Sequence, residues 1–598
     1  MIEPRGSASG FHRLISAVAL FCLYGPIAPA ADALKEAHGD TQLRAMLDEL
    51  NRSKTLQISD LDKVYFVEYT TSDAETRFIT GSLGGLTSSV HAHFRAPRVQ
   101  VRVGDYKFDN TNSIYTTGAH LGLFPIDDDY GAMRADLWLA TDALYKASAD
   151  QITRKRTALR EIAEPDNTPD LAPAKPVQIL QRSAHLAFDG KHWDETIRQL
   201  SGRFADHPNV MNSRVNLRAI STTYRLVNSE GSVVRIPQEL SSLDVVANGV
   251  APDGSRVWNH RFFTALRPSQ FPNEEALRES VDKMAAETEA LTKAPAAEDY
   301  SGPVLFEGEA AAEMMAQVLT DAVRVPRKPL APPGAETRSQ MVESVWSSRM
   351  GSKVAPDWLT IYDNPRADEF QGAALAGSYE VDDEGVPSER VMLVDKGTLK
   401  GFLFSRQPVR TFKASNGHGR LPGGFGSEAA VIGNLFVQAD QTMSEAQLKA
   451  KLLDKVKAGG LKYGVIIRRL DFPSTASLDE LQSLARQLQR NGYTRTLNSP
   501  LLAFRVYADG REELVRGIRF KEFSAKDLRD VDAASDRPYV LNYVNNGSSF
   551  NLAGAGSDAT TSSAICPSLL FDNVDLARVE EEAGRLPLVP APTLITQH

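Results

Sequence analysis

The sequence predicts an α+β protein, with an N-terminal mixed α/β domain followed by a largely antiparallel β domain. Three observations point there. At 598 residues the chain exceeds what one hydrophobic core usually serves, so two or more domains are expected. In the first half, helical stripes such as Leu43, Met46, Leu47 and Leu50 are mixed with period-two strands such as Val99, Val101 and Val103. From Gly377 to Arg420, Val391, Leu393, Leu399, Phe402 and Phe404 lie among turn clusters at Asp382-Asp383-Glu384-Gly385 and Asp395-Lys396-Gly397. Glycine supplies positive φ and acidic residues bond their own backbone in turns, so this stretch reads as antiparallel strands joined by short hairpins.

Element by element, Thr41–Leu50 forms a helix, and strands follow at Val64–Tyr69, Arg77–Thr80 and around Val99–Val103, with Gly81–Gly85 as a turn. A long helix over Asp127–Ile162 buries Met133, Leu137, Leu139, Ala140, Leu144 and Ile152. Pro165, Pro169, Pro173 and Pro176 make residues 164–178 a linker or long surface crossing. Helix is expected over Ile179–Gln199, with strands on either side of the turn Asn228–Gly231 and a hairpin across Asp253-Gly254. Asn273 caps a helix with Glu274 and Glu275 in its first turn. Residues 301–319 read as a strand and then a helix starting near Gly308. A proline-rich region, Val325–Glu336, marks the boundary, placing the N-terminal domain at 31–335 and the C-terminal domain at 336–598. In the latter, Ser444–Ala458 is a helix with a Ser444/Gln447 capping box, and Val465–Leu470, Leu502–Tyr507 and Leu514–Phe520 are strands. Asn545–Ser563, rich in Gly, Ser and Thr, reads as a flexible loop.

Composition narrows the function. With 42% hydrophobic and 24% charged residues, disorder is not the main state. Arg5 and Arg13 precede an apolar run, Leu14–Ile27, that ends in Ala28-Pro29-Ala30, the pattern of a signal peptide over residues 1–30. Export to the periplasm or beyond follows, with no stable membrane span after cleavage; an uncleaved anchor is the alternative. Cleavage leaves 65 basic and 75 acidic residues, a formal net charge of −10, and no basic cluster for nucleic acid. Only Cys566 remains, so no internal disulfide can form.

No residue pattern supplies a catalytic centre. None of the eleven histidines is followed by glutamate, and no Ser-His-Asp signature or phosphate loop is present; Leu421–Gly426 lacks the lysine. His91 and His93 share a strand face, either as two metal ligands or as one exposed polar face. Asp382, Asp383 and Glu384 form the densest acidic cluster, and turn chemistry accounts for them without a function. In Asn416-Gly417-His418-Gly419-Arg420, the glycines allow close approach of a ligand, and His418 and Arg420 can meet a carboxylate or peptide carbonyl; a flexible loop is the alternative.

Four phrases in one short segment carry a resemblance: GSYEVDDEGVP, LVDKGTLKGFL, FSRQPV and SNGHGR. In this order they resemble the C-terminal domain of the TldD/PmbA family, once labelled modulators of DNA gyrase and now treated as metallopeptidase-related. The resemblance implies a catalytic kind of subunit, with a His-Glu-x-x-x-His zinc helix and a later cysteine ligand, and a PmbA kind that lacks it and pairs with the first. Here the corresponding helix, EGEAAAEMMAQVL, holds no histidine, and Glu307, Glu309 and Glu313 read as a solvated face. Cys566, in AICPSLLF, departs from the family's cysteine context and reads as a buried, inert thiol. The resemblance therefore implies a PmbA-like member with no catalytic residue and no metal of its own, zinc being expected only in a catalytic partner. It allows Asp382, Asp383, Glu384, Asn416, His418 and Arg420 to bind peptide substrate. The partners it implies are peptides and either a second copy or a zinc-motif TldD-like subunit. An active peptidase with an unrecognised site and a structural envelope protein are the other two readings.

Overall fold

The computed structural model describes residues 36–58, 60–117, 120–122, 124–163, 166–335, 343–422, 426–472, 497–545 and 560–579. The expected signal peptide lies outside them, as do residues 423–425 and most of the loop expected over Asn545–Ser563.

In the first unit, α1 (Thr41–Ser53) starts where the Asp40 carboxylate accepts from the Gln42 and Leu43 amides, and it buries Leu43, Met46, Leu47 and Leu50. The strands β1 (Val64–Ser82) and β2 (Gly85–Val103) form one continuous hairpin, so the break expected between Tyr69 and Arg77 is absent. After the short β3 (His120–Leu121), α2 (Tyr130–Leu159) runs from its Asp129 cap. Leu139, expected in the core, is 56% exposed, because it lies two residues past the buried Leu137 and so on the opposite side of the helix. The helix expected from Ile179 begins only with α3 (Gly190–Gly202), where Asp189 caps the His192 amide; before it, β4 (Gln178–Leu180) is extended. The unit closes with β5 (Val210–Asn228), β6 (Val233–Val250), β7 (Arg256–Ala265) and α4 (Glu274–Lys293), the last capped by Asn273 as expected. The strand order is β3-β2-β1-β5-β6-β4, with β7 also on β6.

The register sorts this sheet into two faces, since Glu68 opposes both Gln100 and Asn228, and Tyr224 opposes Ile236. Odd-numbered residues such as Val67, Tyr69, Val99, Val101, Leu217 and Val245 pack under the helices. Even-numbered residues of one end, Tyr224, Leu226, Val234 and Ile236, pack with Val381 of the second unit. The sheet is therefore clamped between a helical layer and the C-terminal half.

The second unit begins with β8 (Tyr300–Phe306) and α5 (Glu309–Ala322). It continues through β9 (Leu359–Asp363), the small pair β10 (Glu369–Phe370) and β11 (Ala373–Ala374), then β12 (Val391–Asp395) and β13 (Thr398–Leu399). A second small pair, β14 (Gly419–Pro422) and β15 (Glu428–Ala430), precedes β16 (Asn434–Ala439), α6 (Glu445–Ala458) and β17 (Tyr463–Leu470). Last come β18 (Pro500–Tyr507), β19 (Glu512–Val515), β20 (Ile518–Phe520), β21 (Val531–Asn545) and β22 (Thr560–Arg578). The sheet order is β13-β12-β9-β16-β22-β8-β17-β18-β19, with β20 and β21 also on β22, and most pairings are antiparallel.

Three expectations need correcting here. Because β8 sits between β22 and β17, the second unit starts near residue 299 rather than 336. Between Gly377 and Arg420 only β12–β13 is a regular hairpin, and the segment after it is irregular, with Phe402 and Phe404 buried side by side. Thr560–Ser563, expected in a loop, opens β22, where Ser562 and Ser563 are fully buried and hydrogen-bond to the Ile432 carbonyl and to Asn542.

Candidate functional site

The sheet's even-numbered face and the turn 381–388 build a polar junction. Asp382 is buried, and its carboxylate accepts from the amides of Glu384 (3.0 Å), Val386 (2.8 Å) and Gly419 (2.9 Å). Burial nevertheless pushes it up to about 7. Asp383 reaches the other unit: its carbonyl accepts from the Tyr224 hydroxyl (2.9 Å) and its carboxylate from the Gln238 amide (3.2 Å). Burial raises it to about 6, opposed by Arg420. Glu384 accepts from the Arg406 amide at 2.6 Å and, by burial and the charge of Asp382, is held well above the carboxylate range.

The second candidate phrase lies against the first. Asn416 ties two backbones together, accepting from the Phe404 amide (2.8 Å) and donating to the Phe402 carbonyl (2.9 Å). His418 is fully buried, with Nδ1 2.9 Å from the Asn416 carbonyl and Nε2 3.1 Å from Asp363 Oδ1. The Arg420 guanidinium stacks 4.3 Å from the Tyr379 ring centroid, and its Nε and Nη1 are buried with no hydrogen-bond partner among the described residues. The structure thus gathers all six candidates. It also commits Asp382 and Asn416 to holding backbone and His418 to the Asn416 carbonyl and Asp363, leaving Arg420 with buried nitrogens that have no partner among the described residues.

Residues that the sequence reading passed over complete the site. Phe66, Glu68, Gln100 and Arg102 of the first unit meet Glu384, Arg406, Gly426 and Glu428 of the second around a small cavity. Arg102 donates to the Gly426 carbonyl (2.7 Å) and to Asp109 (2.9 Å). Arg406 donates to the Ala172 carbonyl and to Glu230, both at 2.7 Å. Within the stretch read as a linker or surface crossing, Asp170, Leu171 and Ala172 are buried, where Arg406 and Lys155 draw them in, while the described residues on either side are half-buried or exposed. Glu68 is 6% exposed and burial raises it to about 7, with Arg406 and Arg98 opposing. The only trace of this in the sequence is the polar half of an alternating strand, which normally signals solvent.

The helix in the zinc-helix position is a separate matter. Every residue of α5 from Ala310 to Gln317 is buried, so the solvated-face reading of Glu309 and Glu313 is wrong. Glu313 accepts from the Leu470 amide at 2.7 Å, and burial together with the charge of Glu309 raises it well above the carboxylate range. Glu309 pairs with Arg261 and faces Arg469 at 3.7 Å. Two guanidiniums thus stand where a cation would have to bind, and no imidazole or thiolate joins them. This donor set does not fit zinc. His91 is exposed and His93 pairs with Asp73 at 2.7 Å; among the described residues no three His, Cys, Asp or Glu side chains are placed to share a metal. Cys566 is buried, and burial raises its thiol far above the ordinary range.

The model of the PmbA/TldA metallopeptidase C-terminal domain matches residues 299–470, starting where β8 enters the second sheet. Residues 299–470 thus carry the C-terminal domain of the TldD/PmbA family. A metalloprotease of Archaeoglobus fulgidus is 36% identical over 80 residues, 13% of this chain and 17% of that relative. The match thus spans less than a fifth of the relative's length. Among solved structures, one described as a modulator of a DNA gyrase from Thermotoga maritima covers 91% of this chain and 100% of its own, with a TM-score of 0.56 and 13% identity. TldE from Thermococcus kodakarensis covers 89% and 100%, with a TM-score of 0.54 and 13% identity. At that identity the likeness is one of fold. Where the resemblance places a zinc-binding helix, α5 has alanine and methionine, with one arginine-paired glutamate, Glu309.

Proposed function

We propose that this protein is an exported, metal-free TldD/PmbA subunit that binds peptides or supports a zinc-bearing partner in proteolysis, in the periplasm or outside the cell. The observation that supports it is the state of α5, where Arg261 and Arg469 take up Glu309 and the Leu470 amide takes up Glu313. A helix so occupied offers no open coordination position for a water-activating cation. Peptide contact of the kind proposed uses main-chain hydrogen bonds along exposed strand edges, which read shape rather than sequence.

The test is elemental analysis of the purified protein alongside peptide-cleavage assays, alone and with a relative that carries His-Glu-x-x-x-His. The expected result is no stoichiometric zinc, no cleavage alone, and measurable binding of extended peptides. Stoichiometric zinc together with cleavage by the isolated chain overturns the reading.

A further inference from the structure

Between α2 and β4 the chain crosses the junction of the two units as a strap, residues 166–176, that belongs to no strand or helix. Its backbone is nonetheless held almost residue by residue. Arg327 of the second unit donates to the carbonyls of Thr168 (2.9 Å) and Pro169 (2.5 Å). The Asp170 and Leu171 amides share the Tyr106 carbonyl, at 3.0 and 3.2 Å. Ala172 is bonded both ways: its amide donates to the Arg406 carbonyl (2.9 Å), and its carbonyl accepts from the Arg406 side chain. The Ala174 amide then reaches Glu230. Two side chains turn inward, each 2% exposed: Asp170 meets Lys155 Nζ at 2.6 Å, and Leu171 lines the junction cavity. The flanking residues Asp166, Asn167, Pro173 and Lys175 are exposed.

Main-chain groups taken up one after another, with an acidic and an apolar side chain buried between them, are how a groove holds an extended peptide. Pro169, Pro173 and Pro176 pre-set the extended form and so lower the cost of ordering it. We infer that residues 168–174 are the built-in occupant of a peptide groove at the junction, and that the groove takes extended peptides in which an acidic residue is followed by apolar ones, as in Asp170-Leu171-Ala172. The carboxylate goes to Lys155, the next side chain fills the cavity beside Glu384, and the backbone of the third residue goes to Arg406. A basic residue in the first place leaves Lys155, and Arg327 at 3.4 Å from the Asp170 carboxylate, buried without their anion. A strap tethered at both ends competes at an effective concentration of about a millimolar, so a free peptide binds only in the fraction of molecules whose strap is out. This rests on the peptide-binding reading of the chain and gives the peptide its place.

The experiment removes the strap after folding. Recognition sites for a sequence-specific protease are inserted after Asp166 and after Lys175, both exposed, and the folded chain is cut and dialysed; the β1–β5 ladder keeps the two remaining pieces together. A fluorescein-labelled peptide of the excised sequence, Asn167–Lys175, is titrated by polarisation against cut and uncut protein, beside the same peptide carrying Asp170→Lys. The expected result is that the cut protein binds the first peptide at least about tenfold more tightly than the uncut protein does, and that binding of the second is lost. An excised segment that neither leaves nor exchanges with labelled peptide, equal binding by cut and uncut protein, or equal binding of the two peptides overturns the groove. Binding of other extended peptides by the uncut chain in that case leaves the peptide-binding reading standing. No binding of any extended peptide by either form overturns both.

Discussion

Glu68 and Asp382 are carboxylates buried against the opposite unit, and each is raised to about 7. A raised carboxylate binds its proton more tightly in the folded state, so its contribution to stability is full below the unfolded value, near 4, and is lost as pH rises through about 7. The junction should therefore be more stable at pH 5.5 than at pH 8. Glu68→Gln, which cannot titrate, should flatten the dependence of the melting temperature over that window; an unchanged slope would refute the assignment. On α5, Glu313 is raised well above its ordinary range and accepts one amide, as a neutral acid or amide side chain can. Glu313→Gln should unfold within about 1 kcal/mol of the parent chain, whereas Glu313→Ala, which strands the Leu470 amide and opens a void, should cost about 2–4 kcal/mol in denaturant titration.

At the scale of elements, the turn between β12 and β13 illustrates how local chemistry and packing combine. Lys396 and Gly397 both have positive φ (45° and 74°), as a two-residue hairpin turn with right-handed strand twist requires. A Cβ at Gly397 would also press on the Ala355 and Pro356 carbonyls. Gly397→Ala should thus destabilise by about 1–3 kcal/mol in chemical unfolding, while Lys396→Asn, which suits that φ, should be neutral or stabilising. The turn was visible in sequence because Asp395-Lys396-Gly397 carries its own conformational signal. So were α6, whose Ser444/Gln447 capping box is present as read, and α4 with its Asn273 cap. The long strands β21 and β22 were not. Ser562 and Ser563 suggested a loop, and only hydrogen bonds to the Ile432 carbonyl, 130 positions away, and to Asn542 across the β21 ladder allow those hydroxyls to be buried.

For the whole molecule, Arg406 is the side chain on which the two units most visibly meet. It is 1% exposed and spans the Ala172 carbonyl, Glu230 and the cavity beside Glu68 and Glu384. Arg406→Ala removes the buried guanidinium that pairs with Glu230 and holds the Ala172 carbonyl and should cost about 3–5 kcal/mol, seen as earlier melting and as faster protease cutting near residues 166–176. A melting temperature within a degree of the parent chain would show the junction to be incidental. The candidate cluster was legible in part. The family phrases singled out Asp382 to Glu384 and Asn416 to Arg420, and the fold does bring them together. Their mates Glu68, Gln100, Arg102 and Arg406 were not legible, because nothing local distinguishes a polar strand face that meets water from one that meets another unit.

By itself the sequence determined the α+β class, the family phrases and the missing imidazoles of α5, because turn residues, periodicity and the identity of a ligand are written position by position. Tertiary structure alone decided where the second unit begins, that Glu313 is buried on a backbone amide and Glu309 is paired with arginine, and that, among the described residues, the outer edge of β2 has no partner strand from Leu86 to Phe94. Those depend on which surfaces meet across hundreds of residues, and burial, pairing and exposure do not exist until they do.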